Sequence, residues 1–201
     1  MKMNTEPTCC VIEPCCLSNL KRSGETTLPL PIPVLRKMCV TVRQIELNDV
    51  AGFRAALASV AGEKKYLFTV EPPPLDRIHA FVETNVEQDH AQYVAIAEGC
   101  IVGWADIVPI SRQSMTHVGT LGMGVVSEYR GQGIGHQLLG KTIAHAWQQG
   151  LKRLELEVFT DNEIAMKLYQ KHGYQMEGVK RFARCLDGVY QDVVVMAQYR
   201  V

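Results

Sequence analysis

The chain has 201 residues, which is enough for one ordinary domain and an additional terminal segment. Positive and negative side chains number 21 each, so the chain lacks the basic excess of proteins that bind nucleic acid or anionic membranes. No apolar run reaches the ~18 residues of a transmembrane helix, and the N-terminus lacks the apolar run of a secretory signal. We therefore expect a cytoplasmic protein with neither nucleic acid nor a membrane as partner.

The first 38 residues differ in composition from the rest of the chain. Prolines at positions 29, 31 and 33 disfavour a helix and favour an extended linker. Four of the seven cysteines lie at positions 9, 10, 15 and 16. No histidine or second cysteine pair follows at zinc-site spacing, which favours incidental thiols over a metal or redox site. We predict a poorly ordered Cys- and Pro-containing extension over residues 1–38, a domain over residues 39–201, and no metal.

The first half of the domain alternates between strand and helix patterns. Residues 40–45 alternate as a strand, and Asn48 is placed to cap a helix with apolar residues at helical spacing. A second helix is predicted over residues 75–88, after a run of three prolines. Three strands follow, over residues 92–97, 101–108 and 115–126, the first two joined by a tight turn.

The second half begins with a change to helical period. A helix starting at Ile134 ends before Gly150, and a strand follows over residues 154–158. Asn162 starts another helix, whose inward residues are predicted to be Ile164, Ala165, Leu168 and Tyr169. Two final strands flank a turn at residues 186–188. The sum is an α+β (mixed α/β) fold with a central, mixed, twisted sheet of about seven strands and about four helices.

A strand, a glycine-rich turn and a helix follow one another at residues 125–136. Glycines let a backbone approach a ligand closely, and a helix start offers unpaired N–H groups and partial positive charge. This order predicts a pyrophosphate site, to which Arg130 can add charge. The glycine spacing is not the Gly-x-Gly-x-x-Gly of dinucleotide-binding folds, and the Gly-Lys-Ser/Thr of a P-loop is missing from the sequence.

The segment Arg130-x-x-Gly133-x-Gly135 resembles the Arg/Gln-x-x-Gly-x-Gly/Ala signature of the GNAT acetyltransferase superfamily. The resemblance covers roughly residues 40–200 and implies the GNAT fold with acetyl-CoA as cosubstrate. It implies that Val125 and Val126 lie at the pantetheine arm. It implies a diphosphate site formed by Arg130, Gly131, Gly133, Ile134, Gly135 and His136.

A second segment matches the family at the expected spacing. Residues 162–174 resemble its Asn-x-x-Ala-x-x-Leu-Tyr-x-x-x-Gly-Phe/Tyr motif. Asn162 caps the helix and can also hydrogen-bond the pantetheine arm. Tyr169 lies two helical turns later on the same side, and the resemblance implies that it is the acid that protonates the departing thiolate.

Acetylation of an amine requires that a base remove the ammonium proton. The segment around Glu157 resembles ribosomal-protein N-terminal acetyltransferases, in which the matching glutamate is the base. Strand alternation places Glu155 and Glu157 on the face opposite the apolar residues, either towards the cofactor cleft or towards solvent. His117, Glu71 or a water relay are the alternatives.

The acceptor is less constrained by the sequence than the cofactor. The segment 182–192 resembles small bacterial enzymes acting on amino acids and peptide N-termini. We predict direct acetyl transfer to the primary amine of a small molecule or amino acid. A protein N-terminal or lysine acetyltransferase and a non-catalytic CoA-binding module are the alternatives. The sequence also leaves open whether the protein is a homodimer.

Overall fold

The computed structural model describes residues 39–200, so the predicted extension over residues 1–38 lies outside the described residues. A seven-stranded sheet forms the centre of the described part. Its strands are β1 (Val40–Gln44), β2 (Ala91–Ala97), β3 (Cys100–Pro109), β4 (Val118–Val125), β5 (Arg153–Phe159), β6 (Gln175–Leu186) and β7 (Val189–Tyr199). Four α-helices surround it: α1 (Val50–Gly62), α2 (Leu75–Glu87), α3 (Ile134–Gln148) and α4 (Glu163–Lys171). The predicted α+β class is therefore confirmed.

The strand order across the sheet is β1-β2-β3-β4-β5-β7-β6. Among the described residues, β4 and β5 form the single parallel pair, with α3 as their crossover. The β6–β7 hairpin closes at Asp187 and Gly188, both with positive φ, as a tight turn between twisted strands requires. The parallel elements thus lie in the second half of the chain, as the helical crossover predicts.

The two faces of the sheet carry different helices. On one face, α3 and α4 bury Leu139 and Tyr169 against Leu154 and Leu156 of β5. On the other face, α1 and α2 pack on the middle of the sheet, where Phe53 meets Trp104 of β3 edge-on at 5.7 Å. Alternation along each strand therefore decides which helix pair a side chain faces.

Three local predictions were wrong. Asn48 caps no helix, because residues Leu47–Asp49 form a 3₁₀ turn closed by a reciprocal capping box between Glu46 and Asp49. The third predicted strand begins at Val118 rather than residue 115, since a second 3₁₀ turn occupies Gln113–Met115. Ile164 does not point inward but is 86% exposed, because its position in the first turn of α4 faces away from the sheet.

Two observations bear on membranes and metals. In the described range, no helix combines the length and apolar character needed to cross a membrane. Residues 39–200 also contain no group of three or more His, Cys, Asp or Glu side chains arranged to hold a metal ion.

Candidate active site

A gap opens between β4 and β5 in the middle of the sheet. The two strands pair only at three levels, the last being Thr120 with Glu155. Beyond that level β4 stays paired with β3 and β5 stays paired with β7, so the two halves of the sheet separate. A gap between parallel strands exposes backbone groups that a ligand can pair with.

Along β4, the backbone N–H and C=O groups of every second residue point towards the gap. Val118 and Val126 bond to β3, through their carbonyl oxygen and N–H group respectively. In an antiparallel ladder such bonded residues alternate, so the N–H groups of Leu121, Met123 and Val125 point towards the gap. Val126 differs from Val125 in this respect, because its N–H donates to the Val102 oxygen at 2.9 Å.

The glycine turn leads from β4 into the start of α3. Gly131 and Gly133 have φ of 75° and 79°, and no heavy atom lies within 4 Å of where a Cβ would stand on either. Gly133 occupies the N-cap position of α3 and supplies no capping side chain. The first-turn N–H groups of a 15-residue helix therefore face open space, an arrangement suited to an anion.

Gly135 and His136 lie in that first turn but make contacts within the protein. A Cβ on Gly135 would stand 3.2 Å from Leu168 Cδ2, so this glycine permits close packing of α3 on α4. His136 Nδ1 lies 2.8 Å from His172 Nε2 at the end of α4. Burial, and secondarily His136, lower the pKa of His172.

Arg130 is held by protein groups at the beginning of the turn. Its Nε donates to the Val125 carbonyl oxygen at 2.8 Å, and its two terminal nitrogens bind the Glu63 carboxylate. The guanidinium also lies 4.7 Å from the centre of the Tyr66 ring. The hydrogen bond to Glu63 raises the pKa of Arg130. The charge predicted for the diphosphate is thus paired with a residue at the end of α1.

Asn162 caps α4 and Tyr169 lies within it, on the face of the sheet that α3 and α4 cover. The Asn162 Oδ1 accepts from the Ala165 N–H at 3.2 Å, so its predicted capping role is confirmed and its NH₂ group is not needed for the cap. Tyr169 packs edge-on to Tyr174 at 6.0 Å within the α3/α4 cluster. Burial raises the pKa of Tyr169, so the phenol keeps its proton at neutral pH.

Glu157 lies on the opposite face of β5 from the α3/α4 cluster, as strand alternation predicts. Leu156 and Val158 point into that cluster, whereas Glu157 points to the α1/α2 face and forms an ion pair with Lys180 of β6. Tyr169 and Glu157 are therefore on opposite faces of the sheet.

The two alternative bases from the sequence, His117 and Glu71, lie outside the strand that carries Glu157. His117 immediately precedes β4, about 25 Å along the strand from the glycine turn. It lines an open groove of about 540 Å³ with Lys152, Arg153, Tyr199 and Arg200. Glu71 is exposed in the loop between α1 and α2.

Three partners at the site could not be identified from the sequence. Glu63 binds Arg130 across 67 residues, Lys180 binds Glu157 across 23, and His172 meets His136 across 36. Each contact joins different elements, and no spacing rule links residues so far apart in the chain.

Comparisons with known proteins agree with this geometry. The Acetyltransferase (GNAT) family matches residues 58–174. The chain is 29% identical to the L-amino acid N-acetyltransferase AaaT of Escherichia coli strain K12 over 165 residues, covering 80% of this chain and 98% of the relative. An acetyltransferase of the GNAT family from Streptococcus pneumoniae superposes with a TM-score of 0.75 at 27% identity, covering 80% of this chain and 99% of the other. A GNAT superfamily phosphinothricin acetyltransferase from Sinorhizobium meliloti, solved with AcCoA, gives a TM-score of 0.75 at 18% identity, covering 81% and 89%.

The chain belongs to the GNAT acetyltransferase family. It is an acyltransferase, and acetyl-CoA-dependent N-acetylation is the activity that its relatives support. The gap between β4 and β5 and the uncapped start of α3 are the features of the described fold that suit this cosubstrate.

Proposed function

We propose that this protein transfers the acetyl group of acetyl-CoA to the primary amine of a small molecule, and specifically of an amino acid. The observation that carries the acceptor class is the similarity to an L-amino acid N-acetyltransferase over 98% of that relative's length. Because the match spans the whole relative, it includes the elements that contact the acceptor as well as those that contact CoA.

Acetyl-CoA would lie along the gap, with its diphosphate at the glycine turn and its pantetheine arm and thioester beside β4. The diphosphate suits the turn at Gly131 and Gly133 and the first-turn N–H groups of α3. The pantetheine amides suit the β4 N–H groups that face the gap and the free NH₂ of Asn162. The thioester would then lie further from the turn, beside the gap-facing N–H groups of Leu121 and Met123, which can donate to the developing oxyanion.

The chemical step needs one base and one acid. Glu157 accepts a proton from the ammonium group, directly or through water, which frees the nitrogen lone pair. That lone pair attacks the thioester carbonyl carbon, the new C–N bond forms, and the C–S bond breaks as the tetrahedral intermediate collapses. Tyr169 protonates the departing thiolate, and the second proton lost by the nitrogen restores the phenol, so protons and electrons balance.

An acceptor screen tests the proposal. Purified protein would be incubated with acetyl-CoA and, singly, the twenty protein L-amino acids, simple alkylamines, a peptide with a free N-terminus, and the same peptide N-acetylated with an internal lysine. Products should be measured by mass spectrometry, because the exposed thiols of Cys39, Cys100 and Cys185 react with thiol reagents.

Acetylated amino acids are the expected product. Turnover confined to the free-N-terminus peptide would replace the proposal with protein N-terminal acetylation, and turnover confined to the lysine peptide would indicate lysine acetylation. Tight acetyl-CoA binding without turnover of any acceptor would indicate a CoA-binding module.

A further inference from the structure

Asp106 is a carboxyl group that the proposed mechanism does not use. It lies on β3, two residues after Trp104, whose ring packs on α1. The side chain of Asp106 therefore points to the α1/α2 face, the same face as Glu157. On β4 it is matched in register with Gly122, and a Cβ on that glycine would stand 3.1 Å from the Asp106 Oδ1.

Asp106 and Glu157 lie at the same level of the sheet, on the two sides of the gap. The last paired level joins Thr120 of β4 to Glu155 of β5. Two residues further along each strand, Gly122 of β4 lies level with Glu157 of β5. Because Gly122 has no side chain, β4 places nothing between the Asp106 carboxyl and the gap.

Asp106 has no charged partner in the described chain. Burial alone raises its pKa to about 7, and no cationic group offsets this effect. The buried polar groups facing this part of the sheet are Asn85 of α2 and Gln92, the β2 register partner of Asp106, and Asn85 donates to Gln92 at 2.8 Å. Arg54 of α1 is half-buried and donates to the Pro73 carbonyl oxygen at 3.0 Å. The two glutamates of β5 on this face are already paired, Glu155 with Arg153 and Glu157 with Lys180. An unpaired carboxylate in such surroundings is a site for a cation.

Arg184 offers the complementary charge on the same face. It is 8% exposed and lies 5.0 Å from the centre of the Phe159 ring, two residues beyond Glu157 on β5. Its Nη1 donates to the Lys64 carbonyl oxygen at 3.0 Å and to Gln191 Oε1 at 2.6 Å. Its Nη2 is buried and has no hydrogen-bond partner within residues 39–200.

The contacts of Arg184 with Lys64 and Phe159 place it near the end of the gap. Lys64 follows Glu63 at the end of α1, and Glu63 binds Arg130 in the turn after β4, whereas Phe159 ends β5. The Arg184 side chain thus contacts both the end of α1, which packs on β3 and β4, and the end of β5, on the face that carries Asp106. A buried guanidinium N–H without an acceptor is suited to a carboxylate.

We propose that Asp106 and Arg184 bind the two charged groups of a free α-amino acid, with Asp106 on the ammonium and Arg184 Nη2 on the carboxylate. The inference rests on the proposed function and narrows it, since an amino acid inside a peptide N-terminus lacks the adjacent carboxylate. Asp106 positions the ammonium beside Glu157, which takes the proton.

The first test separates acceptor binding from chemistry. Steady-state kinetics would be measured with the best acceptor among the twenty protein L-amino acids, for wild type, Asp106→Asn and a control, Asp76→Asn, which removes an exposed carboxylate from the first turn of α2. Asp106→Asn should raise KM for the amino acid about 10- to 100-fold, with kcat and acetyl-CoA affinity within about threefold of wild type. Asp76→Asn should match wild type.

The pH dependence supplies a second readout of Asp106. Its carboxyl loses negative charge as pH falls through about 7, so wild-type 1/KM should fall below that pH. Asp106→Asn should lack this fall. Gly122→Ala keeps the carboxyl but crowds it, and should raise KM without removing the pH dependence. Equal KM for wild type and Asp106→Asn at pH 8 would overturn the assignment.

The Arg184 half is tested by changing the acceptor as well as the protein. The amino acid would be compared with its carboxamide, which keeps the ammonium and loses the negative charge. Wild type should favour the amino acid by at least about tenfold in kcat/KM, and Arg184→Gln should lose this preference. The ratio of kcat/KM for the amino acid to kcat/KM for its carboxamide does not change if part of the protein is unfolded, because both values fall by the same factor. An unchanged ratio in Arg184→Gln would contradict the proposal.

A measurement without turnover distinguishes failure of the proposal from failure of the proposed function. The ¹³C resonance of the Asp106 carboxyl, assigned by its absence in Asp106→Asn, would be followed as the same amino acids are added to the CoA-bound protein. A response supports the binding site even if no acetylation occurs. Absence of any response to all twenty amino acids would overturn the site even if another amine is acetylated.

Discussion

At the scale of single residues, the environment of each side chain determines which chemistry it suits. Tyr169 is buried and its raised pKa keeps the phenol protonated, which is the state that a proton donor needs. Glu157 is exposed and ion-paired with Lys180, so its carboxylate is open to solvent exchange. The two residues therefore differ in the way that an acid and a base should differ.

Tyr169→Phe should lower kcat about 100-fold while leaving the acetyl-CoA dissociation constant nearly unchanged, since it removes a proton donor and keeps the ring packing. Single-turnover kinetics and calorimetry would measure the two quantities. Tyr174→Phe is the matched control, because it removes the neighbouring buried phenol from the same cluster. Equal kcat in Tyr169→Phe and wild type would remove Tyr169 as the acid.

Glu157→Gln should lower the rate most at pH values below the amine pKa of ~10, and progressively less as the free amine accumulates. The rate would be measured from pH 6 to about 10 at saturating acetyl-CoA. Glu155→Gln is a suitable control, because it lies on the same face and is also ion-paired. If Glu157→Gln follows the wild-type profile throughout, the base lies elsewhere.

At the scale of elements, α3 has a glycine with positive φ at each end, and only the glycine at its start belongs to the proposed diphosphate site. Gly133 begins the helix and Gly150 follows its end, both with positive φ and with no neighbouring atoms where a Cβ would stand. A side chain is strained to a similar degree at either position. Only the first end has unpaired N–H groups directed at the proposed diphosphate site.

Gly133→Leu should therefore weaken acetyl-CoA binding by at least 10-fold, because its side chain occupies the space through which a phosphate approaches the backbone. Gly150→Leu should destabilise the fold by about 1–2 kcal/mol and leave the affinity unchanged. Calorimetry with acetyl-CoA and thermal unfolding would measure both variants. Similar affinities for the two variants would contradict the diphosphate assignment.

The Arg130–Glu63 pair connects the turn to the end of α1. If Arg130 acts by holding the turn, Arg130→Gln and Glu63→Gln should weaken acetyl-CoA binding to similar extents, and the double variant should be no weaker than either. If the Arg130 charge instead binds the diphosphate directly, Glu63→Gln should retain or increase the affinity. Calorimetry on the four proteins of this cycle distinguishes these mechanisms.

At the scale of the whole molecule, the described domain contains all the proposed machinery. The gap, the turn, α4 and the α1/α2 face all lie within residues 39–200. A protein beginning at Met38 should therefore retain acetyl transfer within about tenfold of the full chain, a barrier difference of at most about 1.4 kcal/mol. Comparing kcat/KM of the two proteins checks this, and a larger loss would show that the N-terminal segment contributes to the site.

Much of the fold could be predicted from local patterns. The helical period of residues 134–147 was sufficient to predict α3, and the alternation around Glu157 was sufficient to predict the two faces of β5. Burial of one face imposes these periods on the sequence. Asn48 was assigned wrongly because the sequence does not show that Glu46 and Asp49 cap each other and close a 3₁₀ turn first. Strand β4 was predicted too long because the 3₁₀ turn before it has no strong sequence signal.

The sequence alone determined the order of elements, the glycine turn at the start of α3 and the family to which they belong, because these depend on residues close together in the chain. The tertiary structure decided which residues meet across the gap. It paired Arg130 with Glu63, placed Tyr169 and Glu157 on opposite faces, and left Asp106 beside Gly122 without a counter-charge. Strand register and helix packing set these contacts, and both bring together residues that are distant in the sequence.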